Sequence, residues 1–290
     1  MSAASVFEGR TALVLSGGGL RGLAHVGAWR AIREAGIRPD LVIGTSVGGI
    51  IGGALASGLP IAELEMRART VGESDIAVVD RRAIWINGIR RPALLRGDVL
   101  YRFMARLIPA RRFEELRIPL QVNAVDIETG DLVWFGSGAR SHVPLLHALC
   151  ASCALPSFYP PVRIGDSFFM DGGVLDTLPI SHAAAAGAEW IIAIDVTSGG
   201  FRPARQVISS GMLAITERVF GLVAERRRNT VLENWKGPRL THIRPRVEGI
   251  PGFEHGFNDY LVDEGYRATR DALTLVARSG NAGSPEAAVG

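Results

Sequence analysis

Apolar and polar positions along this chain alternate between two periods. Thr11–Leu15 and residues 41–43 are short apolar runs bounded by glycine, proline and charge, as expected of strands buried on both faces. Residues 23–35 instead repeat apolar side chains at helical spacing, and residues 50–55 continue the second run as a buried helix. Strand, helix, strand, helix is therefore predicted up to Gly58. Residues 60–119 are less regular and dotted with arginine, with breaks at Gly88, Pro92, Gly97 and Pro109, and read as a lid or cap. Strand signals resume at residues 120–125 and 132–135, a hairpin joined through Glu128, Thr129, Gly130 and Asp131. A helix over 144–154, the apolar triplet Phe168, Phe169 and Met170, a helix over 180–186 and a strand over Trp190–Ile194 follow. Residues 206–235 read as one long helix and 258–277 as a final amphipathic one, with a small, polar tail at 281–290 expected to be disordered.

Strands alternating with helices imply an α/β fold with a largely parallel central sheet and helices on both faces. With 290 residues, 47% of them hydrophobic, the chain can bury a substantial core. One domain is expected: a core over 10–200 that includes the 60–119 cap, and a helical extension over 201–280 packed on it. The uncharged stretch 41–62 has the length of a membrane span, but its six glycines and Ser46 fit a strand, turn and helix better. Net charge is only +3, yet every one of the 32 basic residues except Lys236 is arginine. That bias is either a compositional effect or a means of recognising phosphate and lipid headgroups. No nucleic-acid-binding motif accompanies it. Cys150 and Cys153 read as reduced packing residues at a helix end, since no second pair completes a metal site. The first residues lack a basic region followed by a sustained apolar segment, so the expected location is cytoplasmic, with peripheral contact at the inner membrane face left open.

The chemistry concentrates in two glycine-rich turns. In Gly44-Thr45-Ser46-Val47-Gly48, Ser46 sits where a strand breaks into a helix, the arrangement of a nucleophile elbow. Upstream, Gly17-Gly18-Gly19-Leu20-Arg21-Gly22 leaves backbone amides bare at a helix start, where they can hold a phosphate or an oxyanion. Consecutive βαβ units put such turns at the same sheet edge, so both face one pocket. Asp171-Gly172-Gly173 reads alone as a hairpin turn and, beside the other motifs, as a catalytic carboxylate on a rigid turn. Asp195 and Asp126 are competing carboxylates that rank behind it. His25, His142, His147, His182, His242 and His255 show no context that sets one apart and read as surface or structural residues. The elbow on the second strand also departs from the α/β-hydrolase order, in which a late histidine closes a triad.

The glycine run from Gly17 through Gly27, the elbow at Ser46, the block from Ala151 to Pro156 with Pro160-Pro161-Val162, and Asp171-Gly172-Gly173 resemble, in order and spacing, the patatin-like phospholipase family. The resemblance implies a three-layer patatin-like fold and a Ser46–Asp171 dyad in place of a triad. It also implies an oxyanion hole of Gly17, Gly18, Gly19 and Val47 amides, supported by Arg21, Gly22, Gly44, Gly48, Gly172 and Gly173. One departure stands out: the family often has asparagine before the proline after the aspartate, and this chain has Thr177 before Leu178 and Pro179. The implied activity is a serine acyl hydrolase on lipid esters. Acyl transfer on the same dyad, or a weakly active regulatory or binding role, are the alternatives. No cofactor or metal is implied, so activity is expected to survive chelation. The implied partner is a lipid or acyl ester. Residues 84–113, with Trp85, Tyr101, Phe103 and Leu107 among arginines, read either as a membrane-contact surface or as an ordinary amphipathic cap.

Overall fold

The apolar runs become most of the strands of a single mixed sheet, which also contains two that the pattern did not announce, Val162–Ile164 and Arg239–Ile243. A computed structural model of the chain describes residues 9–79, 92–197, 202–252 and 254–280; Ile84, Trp85, Gly88 and the tail 281–290 lie outside the described residues. The strands are β1 (Thr11–Leu15), β2 (Leu41–Gly44), β3 (Leu120–Asp126), β4 (Leu132–Gly136), β5 (Val162–Ile164), β6 (Ser167–Asp171), β7 (Trp190–Ile194) and β8 (Arg239–Ile243). Their order is β5-β6-β3-β2-β1-β7-β8, with β4 also paired to β3. Pairings from β3 through β2, β1 and β7 to β8 are parallel, while β4, β5 and β6 add antiparallel partners at one side.

Alternate residues of β1 enter different cores, because successive side chains of a strand point to opposite faces. Leu13 and Leu15 join a large cluster with α1 (Ala24–Glu34), α2 (Val47–Ala56), α3 (Ile61–Thr70) and the later helices α5 (Gly97–Leu107), α6 (Leu145–Ser152) and α10 (Asn258–Gly280). Ala12 and Val14 face a smaller cluster with α7 (Ile180–Ala185) and the end of α9 (Met212–Glu233). The result is three layers with a thick and a thin helical side. The glycine-rich stretch 41–62 is β2, its turn and the buried helix α2, as expected. No helix among the described residues is long and apolar enough to cross a membrane.

Two readings are corrected. Within 60–119 the chain is more regular than its breaks suggest: α3, the short α4 (Glu73–Ile76) and α5 form, and Leu64, Ala68, Leu100, Met104 and Leu107 are buried. The burial of Leu107 also removes it from any membrane-contact surface. The 206–235 segment is two helices, α8 (Ala204–Ser209) and α9, parted at Gly211, whose φ of 85° lies outside the right-handed helical region.

The placement that matters most occurs on one edge of β3. There β2 runs parallel to the first half of β3 and ends with Gly44 beside Val122. From the other direction β6 runs antiparallel to the second half and ends with Asp171 beside Ala124. Two strand ends, distant in sequence, thus meet head to head.

Candidate active site

Ser46 stands two residues beyond the end of β2, with φ 55° and ψ −126°. A non-glycine residue rarely holds such a backbone, and the strain lifts its side chain out of the turn. Its neighbours must be small: a Cβ on Gly48 would run into the Leu15 carbonyl, and one on Gly44 into the backbone of Gly48 and Gly49. The buried Ser152 hydroxyl, on α6, accepts the Ser46 amide at 3.0 Å and anchors the elbow from below. Above the turn, Ser46 Oγ donates to Asp171 Oδ2 at 2.7 Å.

Asp171 is 3% exposed, and its second oxygen accepts the Gly173 amide at 2.7 Å. Burial pushes the carboxyl up to about 6, against the pull of its bonds from Ser46 and Gly173. The turn that carries it is held without the asparagine found in the resembling family. Thr177 Oγ1 donates to the Gly173 carbonyl at 3.0 Å, and the Asp176 carbonyl accepts Asn123 Nδ2 at 2.9 Å and Thr45 Oγ1 at 3.2 Å. Gly172 lies so close to Asn123 that a Cβ there would strike it. Burial also lifts Asp176, a neighbour in sequence, to about 6.

The glycine turn lies alongside. Its Gly17 amide is not bare: it donates to the Thr177 carbonyl at 3.1 Å, which corrects its place among the oxyanion donors. Thr177 therefore joins the glycine turn to the Asp171 turn. The Gly18, Gly19 and Val47 amides have no acceptor among the described residues. Gly19 has φ 61°, and Leu20 N donates to the Gly252 carbonyl at 2.7 Å. Gly22 abuts Val47, where a Cβ would meet the valine methyls. Arg21 is buried, with Nη1 donating to the Ile250 carbonyl at 3.0 Å and Nε unpaired; burial lowers its pKa to about 10. It steadies the loop over the glycines from within the protein.

These groups line a cavity of about 210 Å³ that contains Gly17, Gly18, Gly19, Ser46 and Asp171 at one end. Leu100, Phe103 and Tyr159 give it apolar walls, and Glu217, Gly221 and Ala224 of α9 contribute another side. Glu217 also accepts the Gly252 amide at 3.2 Å, so α9 is linked to the loop that holds Leu20.

Several contributors carry no sequence signal of their own. Ser152 and Asn123 work only through partners brought by the fold. Cys153 does more than pack, since it lines the cavity; burial first, then the Asp171 charge, raises its thiol well above the usual range. His25 is fully buried beneath the glycine turn, where Nε2 donates to the Ser16 carbonyl at 2.9 Å, and burial lowers its pKa to about 4. His182 stacks on Trp134, with centroids 3.5 Å apart. Asp195 is taken up by Arg228 at 3.2 Å and His242 at 3.0 Å, and Asp126 accepts the Glu128 amide in the hairpin turn. Among the described residues no group of three or more His, Cys, Asp or Glu side chains is arranged to hold a metal ion.

Comparison with known proteins bears on the fold and the family. VipD from Legionella pneumophila shares the fold, with a TM-score of 0.52 over 92% of this chain and 67% of that one at 15% identity. An uncharacterised NTE family protein of Mycobacterium tuberculosis is 32% identical over 196 residues, 68% of this chain and 51% of the relative. Patatin-like phospholipase domain-containing protein 6 of Homo sapiens is 32% identical over 200 residues, 67% of this chain and 14% of that protein. The chain thus spans about half the length of the mycobacterial relative and a smaller part of the human one. The sequence model described as patatin-like phospholipase matches residues 13–184, and with more than half of its length so matched the chain belongs to the patatin-like phospholipase family.

Proposed function

We propose that this chain is a serine acyl hydrolase of lipid esters in which Ser46 is the nucleophile and Asp171 its proton acceptor. The observation that carries the reading is the 2.7 Å bond between their side chains at the end of an apolar cavity, beside amides that lack acceptors among the described residues. Aspartate in water is too weak a base for a serine hydroxyl. Burial narrows that gap here by raising Asp171 to about 6. As Ser46 Oγ bonds to the ester carbonyl carbon, its proton passes to Asp171 and the carbonyl oxygen becomes an oxyanion. The Gly18 and Gly19 amides, with Val47, are the donors available to it; one such donor is worth about 3 kcal/mol of transition-state stabilisation. The intermediate collapses, the alcohol leaves with the proton from Asp171, and water repeats the sequence to free the fatty acid.

The test is turnover of a p-nitrophenyl acyl ester. Ser46→Ala is expected to lower kcat at least about a thousandfold with the fold retained, and Asp171→Asn to do nearly as much. A Ser46→Ala protein as active as the wild type ends the assignment.

A further inference from the structure

Helix α9 has two different sides. Glu217, Gly221 and Ala224 face the cavity, and Arg228 of the same side is tied to buried Asp195. On the opposite side lie Met212, Ile215, Val219, Leu222 and Val223, at a spacing that forms one stripe on an α-helix. They are 73%, 41%, 53%, 44% and 44% exposed. Ile208 of α8, 65% exposed, stands three residues before Gly211. A single exposed valine needs no explanation, but six large apolar side chains over sixteen residues of chain mark an interaction surface.

The charges around the stripe identify what it meets. Arg205 lies three residues before Ile208 and Arg226 four after Leu222, so each shares a helical face with the apolar positions, and both are exposed. Of the acids in α9, Glu217 accepts the Gly252 amide and Glu225 approaches Arg228 at 3.9 Å, while the exposed Glu233 stands at the far end of the helix, ten residues beyond the last apolar position of the stripe. Apolar side chains flanked by arginine, with no acid among them, complement an anionic lipid surface. A second copy of the chain would offer the same face, with Arg205 and Arg226 among its apolar positions and its one acid, Glu233, at the end of the helix.

We propose that the outer face of α8 and α9 is a docking surface for an anionic bilayer, which sets the helix beside the cavity against the medium that holds lipid esters. The choice of lipid as occupant rests in part on the hydrolase reading of Ser46. This surface differs from residues 84–113, where Leu107 is buried and Phe103 lines the cavity.

The test is flotation of the full chain with vesicles of phosphatidylcholine alone or mixed with phosphatidylglycerol, alongside turnover of a soluble short-chain ester. The wild type is expected to float with the anionic vesicles and much less with the neutral ones. The triple variant Met212→Ser, Val219→Ser, Leu222→Ser is expected to bind at least about tenfold more weakly. Arg205→Gln with Arg226→Gln, which leaves the apolar side chains in place, should weaken binding by a similar factor and flatten its salt dependence. Soluble-ester turnover should be unchanged in both. Failure of the wild type to float, equal binding to neutral vesicles, or full binding by the triple variant overturns the proposal. So does a wild-type dimer that the triple variant dissociates in light scattering, which would make the stripe a seam between copies. Loss of the hydrolase reading would show separately, as soluble-ester turnover indifferent to Ser46→Ala.

Discussion

At the scale of single residues, the proposed Ser46–Asp171 dyad makes activity depend on the protonation of the Asp171 carboxyl. To accept the Ser46 proton it must be ionised, and burial has raised its pKa from 3.8 to about 6. The pH profile of kcat/KM on a soluble ester is therefore expected to rise from acid with an apparent pKa near 6 and to level above it. Asp176, raised by burial to the same region, is the group to separate. Asp176→Asn should keep the limb, and a limb that disappears in that variant would assign it to the wrong carboxyl. The same shift has a cost in stability. A carboxyl that binds its proton more tightly when folded contributes fully below 3.8, and that contribution is lost as pH rises through about 6. That Ser46 and Asp171 stand on tight turns was legible because glycine spacing marks a turn wherever it occurs. Ser152, Asn123 and the bond from the Gly17 amide to Thr177 were not, because each depends on a partner far along the chain.

At the scale of elements, strands were easier to read than helix joints. A short apolar run bounded by glycine, proline or charge fits a buried strand, whereas Gly211 inside a helical pattern carries a small propensity cost that does not announce a break. Arginines and prolines likewise made 60–119 look irregular, although α3 and α5 bury Leu64 and Met104. Contact between α1 and α10 was invisible for another reason: it relies on the absence of side chains. A Cβ on Gly27 would overlap the Val262 carbonyl of α10, and one on Gly265 the Ala24 carbonyl of α1. Backbone cannot give way as a flexible side chain can, so Gly27→Ala must push the helices apart. The loss of packing is expected to exceed alanine's better helix propensity, with a net destabilisation of about 1–3 kcal/mol. Urea unfolding measures it, and a variant as stable as the wild type would show that the helices separate freely.

At the scale of the whole molecule, the site exists because β2 and β6 approach each other along one edge of β3, and because α9 is fastened across the sheet to close the cavity. Neither strand order nor that fastening can be read from local pattern. The fastening centres on Asp195, at the end of β7, whose carboxylate meets Arg228 of α9 at 3.2 Å and His242 of β8 at 3.0 Å. Burial would raise its pKa, but His242, Arg228 and Thr197 outweigh that and hold it below the ordinary aspartate range. The carboxylate is thus charged in a place where only its partners make charge tolerable. Arg228→Met keeps the length of the side chain but leaves that charge short of its main cation, a loss of about 3–5 kcal/mol for a buried pair broken on one side. Adding Asp195→Asn removes the stranded charge, so the double variant is expected to recover part of the loss. The double-mutant cycle in urea isolates the coupling. Equal costs with and without Asp195→Asn would mean that Arg228 holds α9 by packing alone. A positive coupling would instead show that one buried ion pair ties α9 to the sheet beside Ser46.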